Sequence, residues 1–379
     1  MMIERINVDV FRAPVTRPVA TSFGVMRDRP AVFVRIEESD GAFGWGEIFA
    51  NWPSAGAEHR ARLLIEDMAD LVLGRGVGAP GELWSDLTRQ THVRALQCGE
   101  WGPFRQVIAG LDTAAHDLLA RRAGVPLAEM LAPGGAAEAV PVYASGLHVS
   151  AAQDSIVVAR DAGIRAFKVK IGFDAARDMA DLRMLCDDLR EGERLMADAN
   201  QAWTLREALR FAEAAGDLGL GWLEEPIGAD APADEWHALA QASAIPLAAG
   251  ENIVGHADFT SAVKARALAV VQPDVAKWGG VSGCLSVARE ALQAGLNYCP
   301  HFLGGGIGLA ASAHLLAAAG GQGMLELDAN DNPLRDAFFT QGPAARGGFA
   351  IPAKPGLGIE TLPEEIARYR TFSQETAKG

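Results

Sequence analysis

The spacing of apolar and polar positions divides the chain into two parts. In the first part, two segments alternate as half-buried strands do, residues 3–12 and 31–38. Asp40-Gly41 after the second segment is a hairpin turn signal. Three segments with helical periodicity follow, at residues 57–72, 81–94 and 104–122. Strands followed by helices predict an α+β domain over residues 1–130.

From residue 131 onward, short apolar runs alternate with amphipathic helices. We predict eight strands, at residues 140–144, 166–171, 194–198, 221–224, 246–250, 269–272, 297–301 and 323–326. Polar residues follow nearly every strand, which is typical of an α/β barrel enzyme, whereas a doubly wound sheet places its site at one switch point. The pattern therefore favours a TIM-type barrel over residues 131–350. We expect the last segment, 351–379, to pack back on the first domain.

Composition and charge limit the classes of function. The chain has 379 residues, 49% of them hydrophobic, and no apolar run of the ~18 residues that would span a bilayer. The N-terminus lacks the basic and apolar regions of a signal peptide, and the four cysteines form no CxxC pair, so we expect a cytoplasmic protein. The formal charge of −14 disfavours nucleic acid or an anionic membrane as a partner.

Three acidic residues end three successive predicted strands: Asp198, Glu224 and Glu251. One acidic residue at a strand end is usually solvated or paired with a base, but three in successive βα units would converge at the barrel mouth. Oxygen ligands without His or Cys favour a hard cation, Mg²⁺ or Mn²⁺. Asn200, two positions after Asp198, could face the same site, although Asn beyond a strand is also common in turns.

Lys168 and Lys170 belong to one predicted strand and, because side chains alternate along a strand, both point to the same face. Two adjacent ammonium groups beside a cation make each other's charging more costly. We therefore expect one lysine to be near neutrality and able to act as a base, while the other pairs with a substrate anion. The alternative is that both are ion-pair partners at the barrel rim.

Asp274 and His301 follow adjacent predicted strands. An aspartate that accepts the imidazole N–H fixes the tautomer of the histidine and raises its basicity, which would supply a second acid/base opposite the lysine. A purely structural Asp–His pair is the alternative. Glu326 ends the eighth strand and could hydrogen-bond a substrate carboxylate or complete a rim network.

Two segments of the first domain carry apolar residues that look exposed. Phe23 and Met26 lie in RPVATSFGVMRDRP, and Trp52 lies in EIFANWPSAGAEH. Taken alone, such residues more often reflect local packing than function. Their interpretation depends on whether the two segments cover a site.

The motifs KVK, DAN, WLEEP, GEN, QPD and PH, in this order and spacing, resemble those of the enolase superfamily. The Asp274/His301 pair resembles that of the mandelate racemase subgroup in the mandelate racemase/muconate lactonizing enzyme family. GLDTAAHDLLARRAGVPLAEML is similar to the last capping-domain helix of the family, and PGLGIE to its C-terminal segment. The resemblance implies a modified (β/α)7β barrel beneath an N-terminal α+β capping domain.

The resemblance also implies roles for single residues. The implied Mg²⁺ ligands are Asp198, Glu224 and Glu251. Lys170 and His301 would face opposite sides of the substrate, with Lys168 on its carboxylate. The segments near Phe23 and Trp52 would determine specificity, which reverses the packing interpretation. Family members are often dimers or octamers, so the resemblance implies a homo-oligomer.

The implied reaction begins with removal of the proton α to the carboxylate of a small molecule, which gives an enediolate. Loss of a β-hydroxyl would make the protein a dehydratase of aldonates or aldarates, the most numerous activity of the subgroup and the one that we predict. The alternatives are an aldarolactone cycloisomerase, a racemase or epimerase of a 2-hydroxy acid, and a catalytically silent barrel. Candidates for contacting the substrate's hydroxyls or a distal carboxylate are Arg27, Arg29, Asn51, His148 and Asn200.

Overall fold

The computed structural model of the chain describes residues 1–21, 24–339 and 347–378. Its N-terminal part is an antiparallel sheet with packed helices. The strands are β1 (Ile3–Thr21), β2 (Gly24–Glu38) and β3 (Phe43–Ile48). The helices are α1 (Gly56–Leu63), α2 (Ala69–Val72), α3 (Glu82–Cys98), α4 (Trp101–Ala123) and α5 (Leu127–Leu131). A π-helical turn, Leu64–Met68, joins α1 to α2, so the predicted helix over 57–72 is continuous but irregular.

The hairpin of β1 and β2 is longer than the sequence indicates. The residues between the two predicted strands resemble a loop because prolines and glycines interrupt them, yet pairing continues to Thr21 and Gly24. An irregularity in register between Pro14 and Val19 takes up the residues that do not pair. Met26, which we predicted to be exposed, is buried. The segment predicted as a loop is therefore largely a strand pair.

Helix α4 lies close against β3 because two glycines leave no side chain between them. A Cβ atom at Gly44 would lie 2.0 Å from the backbone oxygen of Ala114, and one at Gly46 would lie 2.0 Å from that of Gly110. The helix is buried along most of its length. Its Asp112 accepts hydrogen bonds from the backbone N (2.8 Å) and the hydroxyl (2.7 Å) of Ser282 in the second domain. Helix α4 thus joins the two domains.

The second domain alternates strands and helices around a barrel. Its strands are β4 (Ala139–His148), β5 (Ala166–Lys170), β6 (Arg194–Asp198), β7 (Leu223–Glu224), β8 (Leu247–Ala249), β9 (Val270–Val271), β10 (Asn297–Tyr298) and β11 (Leu325–Asp328). Its helices are α6 (Ala152–Asp161), α7 (Ala175–Asp187), α8 (Leu205–Ala214), α9 (Ala233–Ala242), α10 (His256–Ala265), α11 (Gly280–Gln293), α12 (Gly306–Ala319) and α13 (Pro333–Asp336). A 3₁₀ turn, Val149–Ala151, precedes α6.

The eight strands are parallel and lie in the order β10-β9-β8-β7-β6-β5-β4-β11. The outer strands β10 and β11 also meet, since the backbone N of Met324 donates to Cys299 Sγ at 3.4 Å and a Cβ at Gly323 would lie 1.7 Å from the oxygen of Tyr298. Helix α13, after the last strand, has only 4 residues. The predicted modified (β/α)7β barrel with an N-terminal α+β domain is confirmed.

The C-terminal segment returns to the N-terminal sheet. Strand β12 (Gly348–Ala350) pairs antiparallel with β4, and β13 (Arg370–Ala377) pairs antiparallel with β1 after a 3₁₀ segment, Glu364–Tyr369. Both ends of the chain therefore belong to one sheet. Among the helices of the described residues, none combines the length and the apolar character that a membrane-spanning segment requires.

Candidate active site

The barrel mouth carries a layer of polar side chains directly above an apolar layer. The apolar layer consists of Tyr143, Ala166, Met196, Trp222, Ala248, Val270 and Cys299. Because inward-facing positions repeat every second residue, the next layer is reached two positions later along each strand. It contains the buried polar residues Ser145, Lys168, Asp198, Glu224, Gln272 and His301. The alternation of each strand thus places these groups at its carboxyl end.

Lys168 is the centre of an ion-pair cluster. Its Nζ contacts Glu224 closely and lies 2.9 Å from Oε1 of Glu326 and 3.5 Å from Oδ2 of Asp198. All four residues are no more than 2% exposed. Ser145 also donates its hydroxyl to Glu326. One ammonium group therefore holds carboxylates of β6, β7 and β11 together.

Lys170 lies on the same face and contacts the next polar groups. Its Nζ donates to Oδ2 of Asp198 and to Oδ1 of Asn200, both at 2.7 Å. Asn200 and Gln201 have φ angles of 44° and 62°, a left-handed backbone that is costly for residues other than glycine and is often found at functional sites. Asn200 is thus brought into the cluster, on the side of Lys170.

His301 lies between two carboxylates. Its Nδ1 is 2.7 Å from Oδ2 of Asp274, and its Nε2 contacts Glu251 closely. Burial lowers the pKa of His301, but the charges of Glu251 and Glu326 outweigh burial, so the pKa is raised. An acceptor at each ring nitrogen thus favours the imidazolium in this arrangement.

Acidic side chains outnumber basic side chains at the mouth. The carboxylates there are Asp198, Glu224, Glu225, Glu251, Asp274 and Glu326, and the bases are Lys168, Lys170, Lys277 and His301. A divalent cation bound among the acidic groups would favour their ionised forms.

The donor set fits a hard divalent cation, because Asp198, Glu224 and Glu251 offer only oxygen. Within the described residues, no three His, Cys, Asp or Glu side chains form a ready ligand arrangement. Each of the three carboxylates instead contacts a lysine or the imidazole.

Neighbouring charges change the pKa values of these groups. Burial, followed by the charges of Asp198 and Glu326, raises the pKa of Glu224 to about 7 against the opposing effect of Lys168. Burial lowers the pKa of Lys170, but the charges of Asp198 and Glu251 and the hydrogen bond to Asp198 together outweigh burial, so the pKa is raised. In this arrangement, ion pairs with carboxylates favour the charged form of both lysines. The neutral lysine that we predicted beside a cation stays a prediction.

Three further predicted substrate contacts are His148, Trp52 and Phe23. His148 ends β4 and is in register with Lys170 on β5. Trp52 packs against Gly24 at the end of the hairpin, where an added Cβ would lie 2.6 Å from the indole ring. Phe23 lies outside the described residues. Of these three residues, His148 is therefore the one that lies beside a lysine of the cluster in the described part of the chain.

Other polar candidates join the two domains. Arg29 forms a buried ion pair with Asp328, and Nδ2 of Asn51 donates to the backbone oxygen of Leu303 at 2.6 Å. Arg27 is exposed. The predicted contacts of Arg29 and Asn51 with substrate hydroxyls have no support in these positions, because both side chains bind the barrel itself.

Two residues that the sequence analysis missed fix Glu224. Its Oε2 accepts hydrogen bonds from Nε2 of Gln272 at 2.7 Å and from Nε1 of Trp222 at 3.0 Å. Trp222 lies two positions before Glu224, and Gln272 lies two positions before Asp274. A separation of two positions from a predicted site residue indicates the same face of the strand, so this spacing could have predicted that both side chains point inward.

Family models match both domains. Residues 5–132 match the mandelate racemase/muconate lactonizing enzyme N-terminal domain, and residues 151–366 match the enolase C-terminal domain-like family. The second match alone covers more than half of the chain.

Known proteins resemble the chain over nearly its whole length. A mandelate racemase/muconate lactonizing enzyme structure from Bordetella bronchiseptica RB50 has 48% identity and a TM-score of 0.88, covering 95% of this chain and 97% of that one. L-talarate dehydratase from Polaromonas sp. JS666, complexed with Mg and L-glucarate, has 25% identity, a TM-score of 0.85 and full coverage of both chains, 100% each. D-galactarolactone cycloisomerase of Agrobacterium fabrum is 28% identical over 90% of this chain and 92% of its own length. The chain belongs to the mandelate racemase/muconate lactonizing enzyme family of the enolase superfamily.

Proposed function

We propose that the protein removes the proton α to the carboxylate of a sugar acid and dehydrates the resulting enediolate to a 2-keto-3-deoxy acid. The observation that carries this proposal is the presence of two bases on opposite sides of a cluster of carboxylates. Lys170 is on β5, and His301 follows β10. Two strands separate β5 from β10 in one direction around the barrel and four in the other.

The carboxylates Asp198, Glu224 and Glu251 would hold Mg²⁺, with Mn²⁺ as a possible replacement. When bound, the cation would act as a Lewis acid and neutralise charge on the substrate carboxylate. Lys168 would form an ion pair with the same carboxylate, and Glu326 would form a hydrogen bond with it. The two residues are in contact at the barrel mouth, with Nζ of Lys168 2.9 Å from Oε1 of Glu326. Groups that are already in place would thus stabilise the negative charge that develops on the substrate.

Lys170 or His301 would remove the α-proton. In the dehydration, the imidazolium of His301 would give a proton to the β-hydroxyl, which leaves as water, and the remaining enol would convert to the 2-keto acid. Asp274 would hold Nδ1 of the ring, so that Nε2 is the nitrogen that faces the substrate. Only a general base and a general acid are needed for the substrate to lose water.

Cycloisomerisation of an aldarolactone is the second candidate. It shares the first step and differs in the group that leaves the β-carbon, which would be a ring oxygen. The similarity to D-galactarolactone cycloisomerase over 90% of the chain supports it. We also propose that the protein is a homo-oligomer, and the resemblance to the family is the support for this proposal.

Exchange of the α-proton with solvent deuterium tests the shared step. The full chain with Mg²⁺ should be incubated in D₂O with a library of sugar monoacids, diacids and lactones, and followed by ¹H NMR. We expect exchange with at least one compound, lost from one face in Lys170→Ala and from the other in His301→Asn. NMR of the product distinguishes dehydration, ring opening and epimerisation.

Two exposed residues provide matched controls, Lys264 on α10 and His237 on α9. Lys264→Ala and His237→Asn should exchange the α-proton as the wild type does. Absence of exchange with every acid and lactone in the library would overturn the proposal.

A further inference from the structure

A chain of polar side chains lies behind Glu251 and has no part in the proposed reaction. It consists of Glu225, Asn252 and Lys277. Glu225 is buried, and Lys277 keeps 15% of its side chain exposed. Glu225 comes from the loop after β7, Asn252 follows β8, and Lys277 follows β9. The three loops that carry these residues are neighbours at the barrel mouth.

Asn252 is the link in this chain. Its Nδ2 donates to Oε1 of Glu251 at 2.8 Å and lies 3.1 Å and 3.0 Å from the two oxygens of Glu225. Its Oδ1 accepts from Nζ of Lys277 at 2.7 Å. An ammonium group can only donate, so it fixes the orientation of the amide and keeps Nδ2 toward the two carboxylates.

Asn252 fixes two acidic side chains relative to each other, because its Nδ2 contacts both Glu225 and Glu251. The backbone of Glu225 cannot move away easily, because its N donates to Ala248 O at 3.0 Å and its O accepts from Gln201 N at 2.7 Å. The orientation of Glu251 therefore depends on a donor between the two carboxylates.

Lys277 also contacts the first domain. Its Nζ is 5.2 Å from the ring centroid of Phe49, which follows β3, within cation–π distance. The backbone N of Phe49 donates to Ala276 O, next to Lys277, at 3.4 Å. The first domain thus touches the residue that orients Asn252.

We propose that Lys277 is a positioning residue, which through Asn252 holds Glu251 in the orientation for ligating a divalent cation and through Phe49 connects that orientation to the docked first domain. This inference rests on the proposed function, because it assigns Glu251 to the cation. In this role, Lys277 would act through its contact with Asn252 and would not itself ligate the cation. Groups that orient metal ligands in this way typically change metal affinity by 10–100-fold when they are removed.

A purely electrostatic role of Lys277 would change the affinity for Mg²⁺ in the opposite direction. Its Nζ lies 3.8 Å from Oε1 of Glu251, so its charge repels a cation bound there. If repulsion were the main effect, Lys277→Met would bind Mg²⁺ more tightly than the wild type. If positioning is the main effect, the same variant binds Mg²⁺ more weakly.

Calorimetric titration of the full chain with Mg²⁺ alone tests the proposal without any substrate. We expect Lys277→Met and Asn252→Leu each to raise the Kd for Mg²⁺ by about 10–100-fold. Lys277→Arg, which keeps the charge and the donor, should lie closer to the wild type than Lys277→Met does. The double variant should bind no more weakly than Asn252→Leu, because both changes break one chain of contacts. Lys264→Met on the exposed face of α10 is the matched control.

The outcomes separate the two hypotheses. A wild type that binds no Mg²⁺ overturns the proposed function. A wild type that binds Mg²⁺ together with an unchanged or lower Kd in Lys277→Met overturns the positioning role alone. If Lys277→Met does not fold, as judged by circular dichroism, Asn252→Leu decides, since an unchanged Kd in that variant also overturns the role.

Discussion

The two oxygens of Asp274 have different partners. Oδ1 accepts hydrogen bonds from the backbone N of Ala276 at 2.8 Å and of Lys277 at 3.1 Å. Oδ2 lies 2.7 Å from Nδ1 of His301. One oxygen therefore holds the loop after β9 while the other holds the imidazole, so substitution by asparagine can separate the two effects.

Asp274→Asn should keep the fold and impair one base. The amide oxygen can still accept from the loop, but the amide nitrogen would face Nδ1 of His301 as a donor. The proton of the neutral ring then moves to Nε2, which can no longer accept the α-proton. We expect exchange from the His301 face to fall by about 10²–10⁴-fold, as ¹H NMR in D₂O would measure.

The exposed Asp234 on α9 supplies the control. Asp234→Asn should exchange the α-proton at the wild-type rate. A far-UV circular dichroism spectrum unchanged in Asp274→Asn would exclude loss of fold as the cause. Exchange at the wild-type rate in Asp274→Asn would show that the tautomer of His301 does not matter to the reaction.

Single residues of the site were partly predictable. The period of two along a strand predicted that Lys168 and Lys170 share a face, and the structure has both in one cluster. The same period could not predict the ion pair of Lys168 with Glu326, because Glu326 lies on a strand that is distant in the sequence. The pKa of a lysine depends on such partners, so the sequence alone does not determine the pKa of Lys168 or Lys170.

At the scale of elements, periodicity predicted long helices well and the first hairpin poorly. Helix α4 extends over 101–123, against a prediction of 104–122. The hairpin of β1 and β2 contains Pro14 and Pro18, which donate no backbone hydrogen bond and therefore resemble loop residues. A register irregularity accommodates them, and such irregularities leave no periodic signal.

Strand β3 and helix α12 are joined by one glutamate. Oε1 and Oε2 of Glu47 accept hydrogen bonds from the backbone N of Gly305 (2.5 Å) and of Gly308 (2.8 Å), at the N-terminus of α12. Helix N-termini favour negative charge, and these hydrogen bonds lower the pKa. Burial has the larger effect, however, and the pKa of Glu47 is raised to about 7.

This pKa predicts a pH dependence of stability. Between the ordinary value of 4.5 and about 7, the folded chain keeps the proton of Glu47 while the unfolded chain loses it. Stability therefore falls as pH rises through this window, by up to about 1.4 kcal/mol per pH unit, and stays level above it. Glu47→Gln lacks this contribution. Urea denaturation midpoints of both proteins should be measured at pH 5, 6, 7 and 8. We expect the stability of the wild type relative to Glu47→Gln to fall as the pH rises to 7.

Glu66, an exposed residue of the same domain, is the control. The difference in stability between the wild type and Glu66→Gln should not vary over this window. A difference between the wild type and Glu47→Gln that is equally constant would contradict the raised pKa of Glu47.

At the scale of the whole molecule, the sequence predicted both domains but not how they meet. Strand ends and helix lengths follow from local patterns, whereas the contact of two surfaces depends on pairs such as Arg29 with Asp328 and Asn51 with Leu303. Arg29 and Asn51 were therefore predicted to contact substrate. The resemblance to a known family supplied the capped architecture that periodicity alone could not.

The buried pair of Arg29 and Asp328 gives a test of this interface. Both side chains are no more than 5% exposed, and Arg335 is the next cation, 3.9 Å from the same oxygen of Asp328. Arg29→Met would leave Asp328 buried without its main partner. We expect the free energy of unfolding, measured by urea denaturation, to fall by about 3–5 kcal/mol.

The second half of the test is a double-mutant cycle. Asp328→Asn in the Arg29→Met background removes the uncompensated charge, so the double variant should be more stable than Arg29→Met alone. The exposed pair of Arg183 and Asp217, with 46% and 70% of the side chains accessible, serves as the control, and Arg183→Met should destabilise the fold far less than Arg29→Met does. A loss in Arg29→Met as small as in the control, with additive effects in the cycle, would contradict the interface role. In that case Arg29 would be available for a substrate after all, because its charge would not be needed to hold the first domain on the barrel.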